Sequence, residues 1–141
     1  MTDYNKLEKE LRDRYANATI AINNLGDIMQ QTLPKLKVPS GKDNIKKYKE
    51  VYDRYRKYSF LHDKLNELKD KRRDYDLKKY EKIREKLLDK MKRNMNKLTR
   101  EGARLSINLA KNVRKHSQNI DNKKMRKELN KIAEDIKSNA R

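Results

Sequence analysis

The chemically most distinctive residues of this sequence are lysines and arginines that recur every three or four positions between residues 79 and 115. On a helix, at about 100° per residue, ten of them fall within an arc of about 80°. Like charges at this spacing repel one another by roughly a few tenths of a kcal/mol per pair, so the arrangement costs folding stability unless an anion neutralises it. We call this set the basic stripe; its members are Lys79, Lys82, Lys86, Lys90, Arg93, Lys97, Arg100, Arg104, Lys111 and Lys115.

Nucleic acid is the polyanion that fits the basic stripe best. Duplex DNA carries about one negative charge per 1.7 Å of axis, so a straight row of cations can lie along a row of phosphates. Asparagines of the same segment, including Asn96 and Asn112, add neutral donors for phosphate or sugar. No zinc finger, RNA-recognition sheet or helix-turn-helix pattern is visible, so we expect backbone-directed, largely sequence-independent binding to DNA or RNA. The predicted nucleic-acid-binding residues are Lys86, Lys90, Arg93, Lys97, Arg100, Arg104, Lys111, Arg114, Lys115, Lys123, Lys124, Arg126 and Lys127.

Three other interpretations of the stripe remain open. It is compatible with a solvated face in a lysine-rich protein, kept for solubility. It also suits a helical protein–protein module, either a virion component or an inhibitor of a host or nucleic-acid-loaded complex, that docks on an acidic partner. A basic amphipathic helix can also lie on anionic lipid, but the apolar face here is Leu, Met and glycine, which better suits a partner helix.

Residues able to support catalysis or to bind metal are sparse. The two histidines, His62 and His116, are far apart, and the sequence contains no cysteine. Neither a nucleophile elbow nor a Gly-rich dinucleotide loop occurs. Asp74 and Asp76 could bind a metal in principle, but helix capping explains them at lower cost. We therefore expect no enzyme activity, no cofactor and no metal.

The composition limits the classes of protein to which this chain can belong. The 141 residues carry a net charge of +18, with 43% charged residues. About a fifth of them are Leu, Ile, Val or Phe, which is close to the lower limit for a chain that folds alone. The length allows a single domain over residues 1–141. No apolar run reaches the roughly 20 residues of a membrane span, and MTDYNKLEKE has no signal-peptide core.

The location and source follow from these absences and from amino-acid usage. We expect a cytoplasmic protein, or one of the host cytoplasm or virion if the source is viral. Lys, Asn, Ile and Tyr, whose codons are AT-rich, are abundant, which favours a low-GC phage, plasmid or bacterium as the source. The charge is also uneven, because residues 90–127 alone carry a net +11. A concentrated patch of this kind favours a binding surface over a general solubility trait.

The apolar periodicity predicts an all-α fold of three to four long amphipathic helices in an antiparallel bundle or coiled-coil-like arrangement. Helices are expected at about 3–32, 43–73, 76–116 and 122–138. Pro34, Pro39 and Gly41 define the connection 33–42, in which Leu36 and Val38 should attach the chain to the bundle; a polar cluster predicts a turn at 117–121. Ser40 or Asp43 is the expected cap of the second helix.

The third helix should organise the bundle, since its apolar face holds one direction over about 37 residues. Gly102 lies in that face, and we interpret it as a place of close helix approach rather than a break. The first helix is too short to cover the whole face, so a homo-oligomer, by default a dimer, is expected to bury the rest.

Tyrosines give the second helix its early apolar face. Tyr48, Tyr52, Tyr55 and Tyr58 are expected to pack in the core with their hydroxyls at its rim. Because lysines and arginines flank them, stacking on single-stranded bases is the alternative.

Overall fold

Four long helices that pack against one another make up most of the protein in the computed structural model, which describes residues 2–116 and 120–138. No strand occurs within those two ranges, and the predicted all-α class is confirmed. The helices are α1 (Tyr4–Asp27), α2 (Lys42–Asp70), α3 (Leu77–His116) and α4 (Ile120–Ser138). A π-helical segment (Ile28–Thr32) and one further turn (Leu33–Lys35) prolong α1, and a 3-10 turn (Arg72–Asp74) follows α2.

The helix boundaries agree with the predicted ones to within about three residues, with two differences. Pro34 lies within the last helical turn of the α1 extension and does not end it. Proline has no N–H and crowds the preceding turn, and the wider π-helical turns before it, where the Leu33 N–H donates to the Ile28 carbonyl, leave room for the ring. Residues 120–121 of the predicted 117–121 turn already belong to α4, and 117–119 lie outside the described residues.

The connection between α1 and α2 packs against the bundle as predicted, but the N-cap of α2 is not one of the predicted residues. Val38 is buried and Leu36 is half-buried. The N-cap of α2 is Gly41, whose φ of +85° favours glycine, so the predicted cap at Ser40 or Asp43 is wrong. Ser40 instead donates its hydroxyl to the Met29 carbonyl at 3.3 Å, which ties the connection back to the π-helical segment.

Helix α3 supplies the longest buried face, and the other helices pack on it. Arg54 of α2 pairs with Glu101 at 3.0 Å, and Ser106 donates to the Leu129 carbonyl of α4 at 2.5 Å. Helix α4 therefore covers the C-terminal half of the α3 face, whereas a second copy of the chain was expected to bury whatever part α1 leaves open. That reason for an oligomer does not hold, although the oligomeric state itself stays a prediction.

A nearly buried carboxylate joins three helices at one end of the bundle. Glu8 of α1 accepts from Lys69 of α2 at 2.6 Å and from Arg84 of α3 at 3.3 Å, and Arg12 lies at 3.5 Å. Burial opposes ionisation of Glu8, but the hydrogen bonds and charges of Lys69 and Arg84 outweigh it, so the pKa of Glu8 lies below its ordinary value. The cluster therefore fixes the relative positions of α1, α2 and α3 while keeping Glu8 charged.

Tyrosine rings fill most of the contact between α1 and α2. Tyr58 is fully buried, and its ring lies 5.3 Å from that of Tyr15, which stacks on Tyr55 at 5.7 Å. Their hydroxyls are bonded internally: Tyr58 donates to the Leu11 carbonyl, Tyr55 bonds Thr19 and Tyr15 bonds Ser59. Core packing is thus confirmed for Tyr48, Tyr55 and Tyr58, which are buried or half-buried, whereas Tyr52 is exposed.

The two glycines inside long helices should respond to alanine with opposite signs. A Cβ on Gly26 would overlap the Tyr48 hydroxyl and lie 3.1 Å from its Cζ, so Gly26→Ala should lower the unfolding free energy by about 1–3 kcal/mol. Gly102 has room for a Cβ, so Gly102→Ala should raise it by up to about 1 kcal/mol. Urea unfolding measures both values. Adding Tyr48→Phe should restore part of the Gly26→Ala loss; equal effects of the two alanines would contradict the packing described.

Stability should fall in mild acid because of His62. Burial and the neighbouring Arg12, which donates to Nε2 at 3.3 Å, lower the pKa of His62. The unfolded chain takes up this proton near pH 6.5, whereas the folded protein does so only at lower pH. The free energy of unfolding should therefore decline as the pH falls below about 6.5. His62→Gln should flatten the urea-unfolding profile between about pH 7.5 and 5.5; equal profiles for His62→Gln and wild type would contradict this.

Candidate nucleic-acid interface

The structure places the whole basic stripe on the solvent side of one unbroken helix. All ten of its cations are exposed. The buried residues of α3, including Leu88, Met95 and Val113, lie on the opposite side of the helix wheel. Gly102 does not interrupt the helix. The stripe therefore runs straight along α3, which is roughly 60 Å long.

The acidic residues beside the stripe are bonded to other helices. Asp89 accepts a hydrogen bond from the Tyr4 hydroxyl of α1 at 3.2 Å, and Glu101 pairs with Arg54 of α2. Among the described residues, no carboxylate lies within ion-pair distance of a stripe cation. The cations that do form ion pairs lie elsewhere: Arg12, Lys47, Arg54, Lys69 and Arg84. The positive charge of the stripe is thus left uncompensated by the fold.

The predicted binding residues on α4 form a second basic surface. Lys123, Lys124 and Lys127 are exposed, and Arg126 is half-buried. Helix α4 packs through Leu129 on the buried side of α3, so its outward face points largely away from the stripe. These residues therefore do not continue the stripe along α3, because α4 packs on the opposite side of that helix.

Three further polar residues from the sequence analysis differ in position: two lie on the surface, and one holds parts of the bundle together. Arg114 is exposed but lies beside the stripe arc rather than within it. The Asn112 amide donates to the Pro39 carbonyl, so it anchors the connection before α2. Asn96 accepts from Arg14 at 3.0 Å, which leaves its own amide hydrogens facing outward beside the stripe. Of these three, Arg114 and Asn96 are available to a ligand.

The predicted nucleic-acid-binding residues do not include a set of exposed cations on α2. Lys46, Lys57 and Lys64 lie on the side of α2 opposite its contacts with α1, and all three are exposed. The 7-residue spacing of Lys57 and Lys64 places them on one side of a helix and could have indicated this surface. The sequence interpretation instead assigned the segment to the core because of its tyrosines. These lysines add exposed positive charge on α2 without belonging to the basic stripe.

Comparisons with known proteins add no identity. No protein-family model, curated protein or solved structure matches this chain. None of the helices in residues 2–116 and 120–138 is long and apolar enough to cross a membrane. Any assignment of function therefore depends on the geometry and charge of this molecule.

Proposed function

We propose that this protein is a non-enzymatic nucleic-acid-binding protein that grips the phosphate backbone through the basic stripe of α3. The observation that carries the proposal is a straight row of ten exposed cations without an ion-pair partner among the described residues. Holding like charges together costs stability, and phosphate contacts that release counterions would offset that cost. Binding is expected to be largely independent of sequence.

The chemistry of the surface favours nucleic acid over a protein partner. Protein interfaces centre on buried aromatic or aliphatic anchors. The large exposed apolar side chains in the described ranges are Ile20, Ile45, Tyr52, Phe60 and Leu77. Only Leu77 belongs to α3, and it lies on the side of the wheel opposite the stripe. A purely cationic face with neutral amides such as Asn96 beside it resembles a phosphate-binding surface.

The scaffold suits such an interface because the other helices hold α3 in place on the side opposite the basic stripe. Two contacts support the predicted antiparallel packing of α2 and α3: Arg54 with Glu101, and Pro39, just before α2, with Asn112. From the first contact to the second, the residue number falls on the α2 side and rises on the α3 side, as it does between antiparallel helices. Helices α1, α2 and α4 together cover the buried face of α3. The stripe is thus presented without rearrangement, which limits the entropy lost on binding.

Charge reversal of the central stripe is the test of this function. The variant carries Glu at Arg93, Lys97, Arg100 and Arg104, and the matched control, with the same net charge, carries Glu at the exposed residues Lys6, Lys9, Lys35 and Lys37. We expect the stripe variant to bind at least about 100-fold more weakly, because like charges then face the phosphates. Fluorescence anisotropy with single- and double-stranded DNA and RNA of about 30 nucleotides, at about 50 mM salt, measures this.

The control should lose much less affinity, and circular dichroism should show equal helicity in both variants. Equal losses in the two variants would mean that net charge alone drives binding, and wild-type protein that binds none of the ligands would overturn the proposal.

Reversal of Lys123, Lys124 and Lys127 tests the second surface. Because α4 faces away from the stripe, this variant should lose less than the stripe variant.

A further inference from the structure

A cavity of about 380 Å³ lies between α1, α3 and α4, on the buried side of α3 and away from the basic stripe. This volume falls within the range of about 300–1,000 Å³ that is typical of small-molecule sites. Its walls are mainly apolar and include Ile22, Leu98 and Ile132, all buried, while the exposed Ile20 also lines it. The cavity therefore offers a hydrocarbon-lined space that solvent can reach.

Arg14 gives this cavity a positive charge that no described carboxylate meets at ion-pair distance. Its two terminal nitrogens donate to neutral acceptors, Asn96 Oδ1 at 3.0 Å and Thr99 Oγ1 at 3.1 Å. Its Nε is buried and has no hydrogen-bond partner within the described ranges, and no described carboxylate lies within ion-pair distance. Burial lowers the pKa of Arg14. A partly desolvated guanidinium without a paired carboxylate is costly, since Glu10 attracts it only from beyond ion-pair distance. Each terminal nitrogen of Arg14 carries a second N–H, and an anion held by these groups would reduce that cost.

Gly102 keeps the cavity open. A Cβ at this position would meet only Ile136 Cδ1, at 3.7 Å, which is an ordinary van der Waals contact. The expectation that glycine serves a close helix approach is therefore wrong. Glycine is unfavourable inside a helix, and the structural effect of the missing side chain is extra room beside Leu98 and Ile136.

We propose that this cavity binds a small amphipathic carboxylate, with the carboxylate on Arg14 and the hydrocarbon between the isoleucines. Arg14 is the single cation among the described residues that line the cavity, so we expect the site to accommodate one anionic group. Asn17 and Asn24 supply neutral polar groups, and the exposed Asp135 also lines the cavity. The proposal is independent of nucleic-acid binding, because the cavity and the stripe lie on opposite sides of α3.

Calorimetric titration of the full chain with three probes tests the site. Decanoate, below its micellar concentration, carries both the charge and the hydrocarbon; decanol lacks the charge, and acetate lacks the hydrocarbon. We expect decanoate to bind with a stoichiometry of one and at least about 10-fold more tightly than either other probe. Decanol binding as tightly as decanoate, or no decanoate binding, would overturn the proposal.

Variants separate the cavity from the basic surface. Arg14→Gln should weaken decanoate binding at least about 10-fold and leave decanol binding unchanged. Gly102→Leu should weaken both by filling the cavity, and Gly102→Ala, which the structure accommodates, should do so to a smaller extent. Arg104→Gln, which removes an exposed stripe cation, is the matched control and should bind decanoate as wild type does. Equal weakening by Arg14→Gln and Arg104→Gln would show non-specific charge attraction and contradict the proposal, as would wild-type affinity in the Arg14 and Gly102 variants.

Discussion

The structure depends on one constraint, the shortage of apolar surface in a chain with a net charge of +18. Only one segment, α3, carries an apolar face long enough to receive the other helices, and its buried residues extend from Tyr80 to Val113. Because that face must be buried, the lysines and arginines of the same helix must point away from it. The core and the basic stripe are therefore two consequences of a single sequence pattern.

Polar contacts supplement this small core. Glu8 joins α1, α2 and α3 through Lys69 and Arg84, and the tyrosines between α1 and α2 bury large rings while bonding their hydroxyls internally. Each of these groups uses a hydrogen-bonding partner inside the bundle, which keeps the cost of burying polar atoms low. The carboxylates beside the stripe follow the same rule, since Asp89 and Glu101 bond α1 and α2. As a result, these three acids bond to neighbouring helices and leave the stripe without an ion-pair partner among the described residues.

The helices were predictable from the sequence because their apolar periods are long and glycine and proline are rare. The exposure of the stripe was predictable for the same reason, since a helix that buries one face must expose the other. The position of α4, the capping role of Gly41 and the Glu8 cluster were not, because each depends on contacts between residues far apart in the chain. Gly102 was misinterpreted on these grounds: the helix wheel placed it on the buried face but gave no distance to the neighbouring helix.

The measurement that tests the central claim most directly is the salt dependence of DNA binding for the wild type and for a variant with Gln at Arg93, Lys97, Arg100 and Arg104. Each phosphate neutralised contributes about 0.7–0.9 to the slope of log K against log salt. If the stripe contacts the backbone, the wild-type slope should be steep, and the variant slope should be shallower by about 2.8 to 3.6. Slopes that are the same for both proteins would contradict the account, because the four central cations would then contact no phosphate.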